Sequence, residues 1–148
     1  MAVNKALGKP NGLPRSFRMI KSAEFGAVLS SPKQEQVRSF STYFAVAAIK
    51  TPNPGVVRFG LTVGKHDARL SVDRALVKRL LREASRVKRQ TIQNSLLDKD
   101  YGLDVSLRLK GRLPVCEPDG LSKQARKILL RDDIEKLYFY FLRKLSSL

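Results

Sequence analysis

The 148-residue chain has one cysteine and one histidine, and each shortage closes off a class of chemistry. Cys116 has no partner within the chain, so no disulfide framework exists, and a reducing, cytoplasmic setting is the expectation. His66 alone cannot assemble a histidine-based metal site of the usual kind. Long apolar runs are missing as well. The longest, Phe44 to Ile49, falls far short of the roughly 20 residues that a membrane-spanning helix needs. The opening stretch MAVNKALGKPNGLPR lacks the apolar core of a secretory signal peptide. Acids are scarce: 13 Asp and Glu stand against 29 Lys and Arg, for a formal net charge of +16. A domain carrying that charge repels itself unless salt or an anionic partner screens it. Nucleic acid is the first candidate partner and an anionic membrane surface the second.

Enzyme motifs are missing too. The run GLTVGK from Gly60 to Lys65 has three residues between its glycines where a phosphate-binding loop has four, and His66 stands where Ser or Thr should hold magnesium. Asp67, Asp73 and Asp104 form no recognisable cluster, and Cys116, in a proline-rich loop with no histidine near it, reads as a bystander thiol.

What is present is an alternation of short apolar patterns. Residues 1–16 read as a flexible basic tail, and 17–148 as one domain. Ser22 to Leu29 has helical spacing, with Phe25, Val28 and Leu29 on one side and Ser22 as N-cap. Ser30 to Ser39 is polar and reads as a loop, and Thr42 to Ile49 as a buried strand. Two prolines and a glycine make residues 51–55 a turn. Val56 to Val63 and Asp104 to Lys110 alternate, each hiding one face, which implies a sheet covered by helices on one side only. The other side would carry Arg58, Thr62, Ser106, Arg108 and Lys110, as a solvated face or as an RNA-facing one. After a loop at 111–120, Ser122 to Leu145 is helical, with Asp132 or Asp133 placed to break it and cap a second helix. The order is helix, two strands, basic helix, strand, helix: an α+β domain.

The segment RALVKRLLREASRVKR, Arg74 to Arg89, carries the strongest signal. On a helix, Leu76, Val77, Leu80, Ala84 and Val87 span an arc of roughly 100°, while Arg74, Lys78, Arg79, Arg82, Arg86 and Arg89 span one of roughly 140° opposite. Lys65 and Arg69 extend the basic surface into the preceding connection. Solvated helix faces usually mix both signs of charge, and this one does not. Arginine suits RNA because its planar fork grips phosphate at two points and stacks on bases.

Residues 61–86 resemble the most diagnostic stretch of the bacterial ribonuclease P protein family. There a GL(S/T)V-type strand end and a lysine lead into a helix of pattern R-N-R-x-x-K-R-x-x-R-E, which Gly60, Leu61, Val63, Lys65, Arg74, Lys78, Arg79, Arg82 and Glu83 match. Phe25 and the run Gly102 to Val105 match more weakly, so the resemblance spans about residues 15–145. Ala75 and Leu76 stand in place of the family's Asn-Arg, and Leu29 in place of an aromatic. Ala75 would project inside the basic arc, removing an amide there; Leu76 would lie on the apolar flank.

The resemblance implies a single α/β sandwich with a central mixed sheet of about four strands, helices on one face and a left-handed βαβ crossover, similar to domain 2 of ribosomal protein S5. It implies an accessory subunit with no catalytic residues of its own, pairing 1:1 with a catalytic RNA that removes the 5′ leader from precursor tRNA using Mg2+ held mainly by that RNA. Lys65, Arg69, Arg74, Lys78, Arg79, Arg82 and Arg86 would contact the catalytic RNA; Phe25, carried over from the family pattern, is placed at the leader cleft together with Phe44, Arg58 and Arg108, with core packing the alternative for Phe25 and Phe44. No metal site on the protein and no membrane partner are expected. The rival readings are a plain RNA-binding ribosomal or assembly factor, a helix-in-groove DNA binder and a cationic membrane binder.

Overall fold

Period-two alternation and the basic amphipathic helix meet in one βαβ unit. In the computed structural model, which describes residues 36–147, the elements run β1 (Gln36–Phe40), β2 (Phe44–Thr51), β3 (Val57–Thr62), α1 (Ser71–Asn94), β4 (Gly102–Leu109) and α2 (Lys123–Leu145). The expected tail 1–16 and the helix 22–29, with Phe25 and Leu29, lie outside the described residues. The sheet has the order β1-β2-β4-β3 and is mixed. β1 and β4 flank β2 antiparallel, and β3 joins β4 parallel, so α1 is the crossover between adjacent parallel strands.

Register sorts the side chains into two faces. Phe44, Val46 and Ala48 of β2 stand beside Leu109, Leu107 and Val105 of β4, and Phe59 stands beside Val105. These apolar residues form one buried core with Val77, Leu80, Leu81 and Ile92 of α1 and Leu130, Ile134, Leu137, Tyr138 and Phe141 of α2. Helix α2 covers the β1–β2 half of that face and α1 packs against β3.

Two backbone positions need glycine. Gly55 ends the β2–β3 turn at φ 73°, a conformation that L side chains rarely adopt. A Cβ on Gly102 would sit 2.3 Å from the Asn53 carbonyl oxygen and 2.4 Å from that of Val56. The start of β4 is therefore pressed directly onto that turn.

Two expectations are corrected. The polar stretch Ser30 to Ser39 does not all remain a loop, because Gln36–Phe40 pairs with β2 as an edge strand. Its alternation is disguised, since the core-facing positions are Val37 and a buried serine, Ser39. Helix α2 is continuous through Asp132 and Asp133. Asp133 caps something else: its carboxylate accepts from the backbone amides of Thr42 (3.1 Å) and Tyr43 (2.9 Å) and from the Ser41 hydroxyl (2.7 Å). It closes the β1–β2 turn from across the core. Ser122 caps α2, accepting from the Ala125 amide at 3.1 Å.

Candidate RNA interface

Helix α1 begins three residues before Arg74 and ends five after Arg89. Its buried line is Val77, Leu80, Leu81, Ser85 and Ile92. That line is rotated from the expected apolar arc: Val87 is 57% exposed, and Ser85 lies inside the core. The apolar residues alone misplace the buried centre because a serine completes it. The Ser85 hydroxyl is satisfied by the Tyr138 hydroxyl at 2.6 Å.

The rotation redistributes the cations. Arg79 is exposed, and Lys78, Arg82 and Arg86 are half-buried. None of these four has a carboxylate within ion-pair distance among the described residues. The Nε atoms of Arg82 and Arg86 are buried without a hydrogen-bond partner, which leaves the outer guanidinium nitrogens to meet any anion. Lys88, outside the expected set, is held by Glu135 at 3.2 Å. Arg89 donates to Gln93 at 3.1 Å.

Arg74 has different work. One of its terminal nitrogens donates to the carbonyls of both Ala68 and Arg69 at 2.9 Å, bracing the connection that carries Lys65 and Arg69. Those two side chains are exposed. At the same end, Arg126 of α2 donates to Asp73 at 2.7 Å, joining the first turns of the two helices. Ala75 is exposed, as expected of a position inside the basic arc, and Leu76 is half-buried against the core.

The outer sheet face is ordered in three rows by register. Phe40, Ala45, Arg108 and Thr62 make the first; Arg38, Ala47, Ser106 and Gly60 the second; Gln36, Ile49, Asp104 and Arg58 the third. Alanine, glycine and serine thus floor the middle, with larger side chains toward the edges. Arg58 is not a free cation: it grips Asp104 at two points, 2.9 and 2.7 Å. Lys110, just past β4, stands 5.3 Å from the centre of the Phe40 ring, and Arg38 stands 5.4 Å from it.

The cleft role expected for Phe44 is corrected. Phe44 is fully buried on the helix-covered face, opposite Arg58 and Arg108, where no base could reach it. Phe40 is the aromatic on the outer face of β1, 46% exposed and flanked by two cations. Sequence reasoning misses it because its strand reads as a loop. A signal is there nonetheless: an aromatic two residues after an arginine, next to an apolar run. Among the described residues no three His, Cys, Asp or Glu side chains gather into a metal-binding group, and no helix is long and apolar enough to cross a membrane.

Comparison with known proteins gives the family and the fold. The family model described as Ribonuclease P matches residues 13–132. The chain is 36% identical over 117 residues to the ribonuclease P protein component of Nitrosomonas eutropha, covering 79% of this chain and 88% of that protein. It is 37% identical over 92 residues to that of Halorhodospira halophila, covering 62% and 69%. The fold is similar to a solved RNase P protein from Staphylococcus aureus, with a TM-score of 0.56 at 18% identity over 90% of this chain and 93% of that one.

Proposed function

The chain belongs to the ribonuclease P protein family, and on that premise we propose that it is the protein subunit of a cytoplasmic ribonucleoprotein that removes the 5′ leader from precursor tRNA. The observation that carries the reading is the set Lys78, Arg79, Arg82 and Arg86, cations on one helix face with no acidic partner among the described residues. Four uncompensated charges along one helix match the repeating phosphates of a folded RNA. Lys65 and Arg69, on the connection braced by Arg74, extend that contact.

The single-stranded leader would run over the outer sheet face. Arg108 supplies charge, and Phe40, 46% exposed on that face, supplies a ring on which a base can stack. Arg58 serves mainly to neutralise Asp104, keeping a buried carboxylate from repelling the strand. The protein binds and positions; Mg2+ ions held by the partner RNA supply the hydrolytic chemistry. One protein per catalytic RNA is the stoichiometry proposed.

The test is precursor tRNA cleavage by the catalytic RNA at low Mg2+, with and without the protein. Stimulation is expected. No stimulation, with RNA binding intact, would leave a plain RNA-binding protein.

A further inference from the structure

We propose that the part of the RNA leader farthest from the cleavage site turns round the β1 edge of the sheet and stacks on Tyr140 and Phe139 of α2. The inference rests on the leader reading above and extends it to a second surface. Helix α1, whose cations are assigned to the catalytic RNA, packs against β3 at one edge of the sheet, and β1 is the other edge. A strand that enters at β3 and crosses the row Thr62, Arg108, Ala45 and Phe40 therefore leaves at β1.

Past that edge lies the last part of α2. Asp133 ties the helix to the β1–β2 turn and the Lys144 ammonium donates to the Arg38 carbonyl, so these turns run beside β1. Tyr140 stands one turn before Lys144 on the same side of the helix. It is 47% exposed and Phe139 57%, and with Phe40 they are the exposed aromatic side chains among the described residues. The two rings meet edge to face with centroids 5.5 Å apart, and the Arg143 guanidinium stands 5.7 Å from the centre of the Phe139 ring. Cations accompany the rings along the whole path: Arg38 and Lys110 beside Phe40, Lys144 at the edge, Lys136 and Arg143 beyond it. The acid that shares a groove with Phe139 and Tyr140 is Glu135, and Lys88 holds it at 3.2 Å. Exposed rings bordered by cations stack bases and attract the phosphates between them, with little regard to sequence. The excess of cations and the continuity with Phe40 favour RNA over a protein partner at this surface.

The test uses the full chain assembled with the catalytic RNA, and labelled precursor tRNAs with leaders of about 4 and about 12 nucleotides. The tRNA body fixes where the leader starts, so length alone decides whether it reaches α2. Wild type should bind the long-leader substrate about tenfold more tightly than the short one. Changing both Phe139→Ala and Tyr140→Ala should erase that gain and leave the short-leader substrate unaffected. The thermal midpoint should stay nearly unmoved, since both side chains are exposed. Phe40→Ala should weaken both substrates. The chain has no tryptophan, so Tyr140→Trp places a single reporter at the surface. Its emission should be quenched by the long leader and not by the short one. Equal binding of the two substrates by wild type, equal losses in the double variant, or unquenched emission with the long leader would each overturn the proposal. So would a dimer of the free protein that the double variant dissolves, because the surface would then belong to a second copy. Failure of the ribonuclease P reading looks different: the assembly then cleaves neither substrate better than the RNA alone.

Discussion

The hydroxyl oxygens of Ser85 and Tyr138 lie 2.6 Å apart inside the core, a buried polar contact between α1 and α2. Burial pushes the Tyr138 hydroxyl well above its ordinary range; the Ser85 hydrogen bond opposes the shift and the Glu135 charge adds to it. Tyrosines in the unfolded chain lose their proton near pH 10, whereas buried Tyr138 keeps it. Above pH 10 the unfolded state therefore binds fewer protons than the folded one, and stability falls with pH. The contribution is complete below pH 10 and declines by about 1.4 kcal/mol per pH unit above it. Tyr138→Phe should cost about 1–2 kcal/mol at pH 7, the lost hydrogen bond plus an unpartnered Ser85. That deficit should shrink between pH 10 and 11. Urea denaturation of both proteins across this range checks it, and a deficit constant with pH would contradict the account.

Asp133 holds the β1–β2 turn through three donors, so its removal strands the amides of Thr42 and Tyr43. Asp133→Ala should destabilise the fold by about 2–4 kcal/mol, read from urea midpoints. Asp133→Asn keeps one acceptor oxygen and should cost roughly half as much. Equal losses for the two variants would mean that the turn depends on charge alone.

Phe40 and Phe44 make a contrast of faces. Phe44→Ala empties part of the core and should cost about 3–5 kcal/mol of stability, with leader affinity unchanged in whatever protein stays folded. Phe40→Ala should leave the urea midpoint nearly unmoved and weaken binding of a single-stranded leader by about 1–3 kcal/mol. Fluorescence anisotropy with a labelled leader oligonucleotide reads the second effect. Full leader affinity in Phe40→Ala would remove the outer sheet face from the binding site.

The same pair shows what is legible in the sequence. Strands with a strict alternation, such as Val57-Phe59-Leu61, fall on the correct face because one apolar class marks one side. β1 does not, since its inward positions mix valine with serine and the contact that holds its turn, Asp133, lies more than ninety residues away. The helix is legible in place and chemistry, but its ends and its rotation are not. A buried serine satisfied by Tyr138 is invisible to any scale that counts serine as polar. Equally hidden is the role of Arg74, since its carbonyl partners Ala68 and Arg69 come within reach only once the connection has folded.

That role separates two kinds of arginine on one helix. Arg79 and Arg82 have no acidic partner among the described residues, so changing both to alanine should weaken RNA binding and leave stability within about 0.5 kcal/mol. The slope of log affinity against log salt should flatten by roughly 0.7–0.9 for each phosphate that the variant no longer neutralises. Arg74→Ala should behave differently. Its guanidinium is occupied by two backbone carbonyls, and without it the connection bearing Lys65 and Arg69 loosens. Affinity should then fall through positioning, with a smaller change in salt slope than Arg79→Ala produces. Salt-titrated binding of the catalytic RNA to each variant decides this. Equal slope changes would place the Arg74 guanidinium on phosphate and the brace would be incidental.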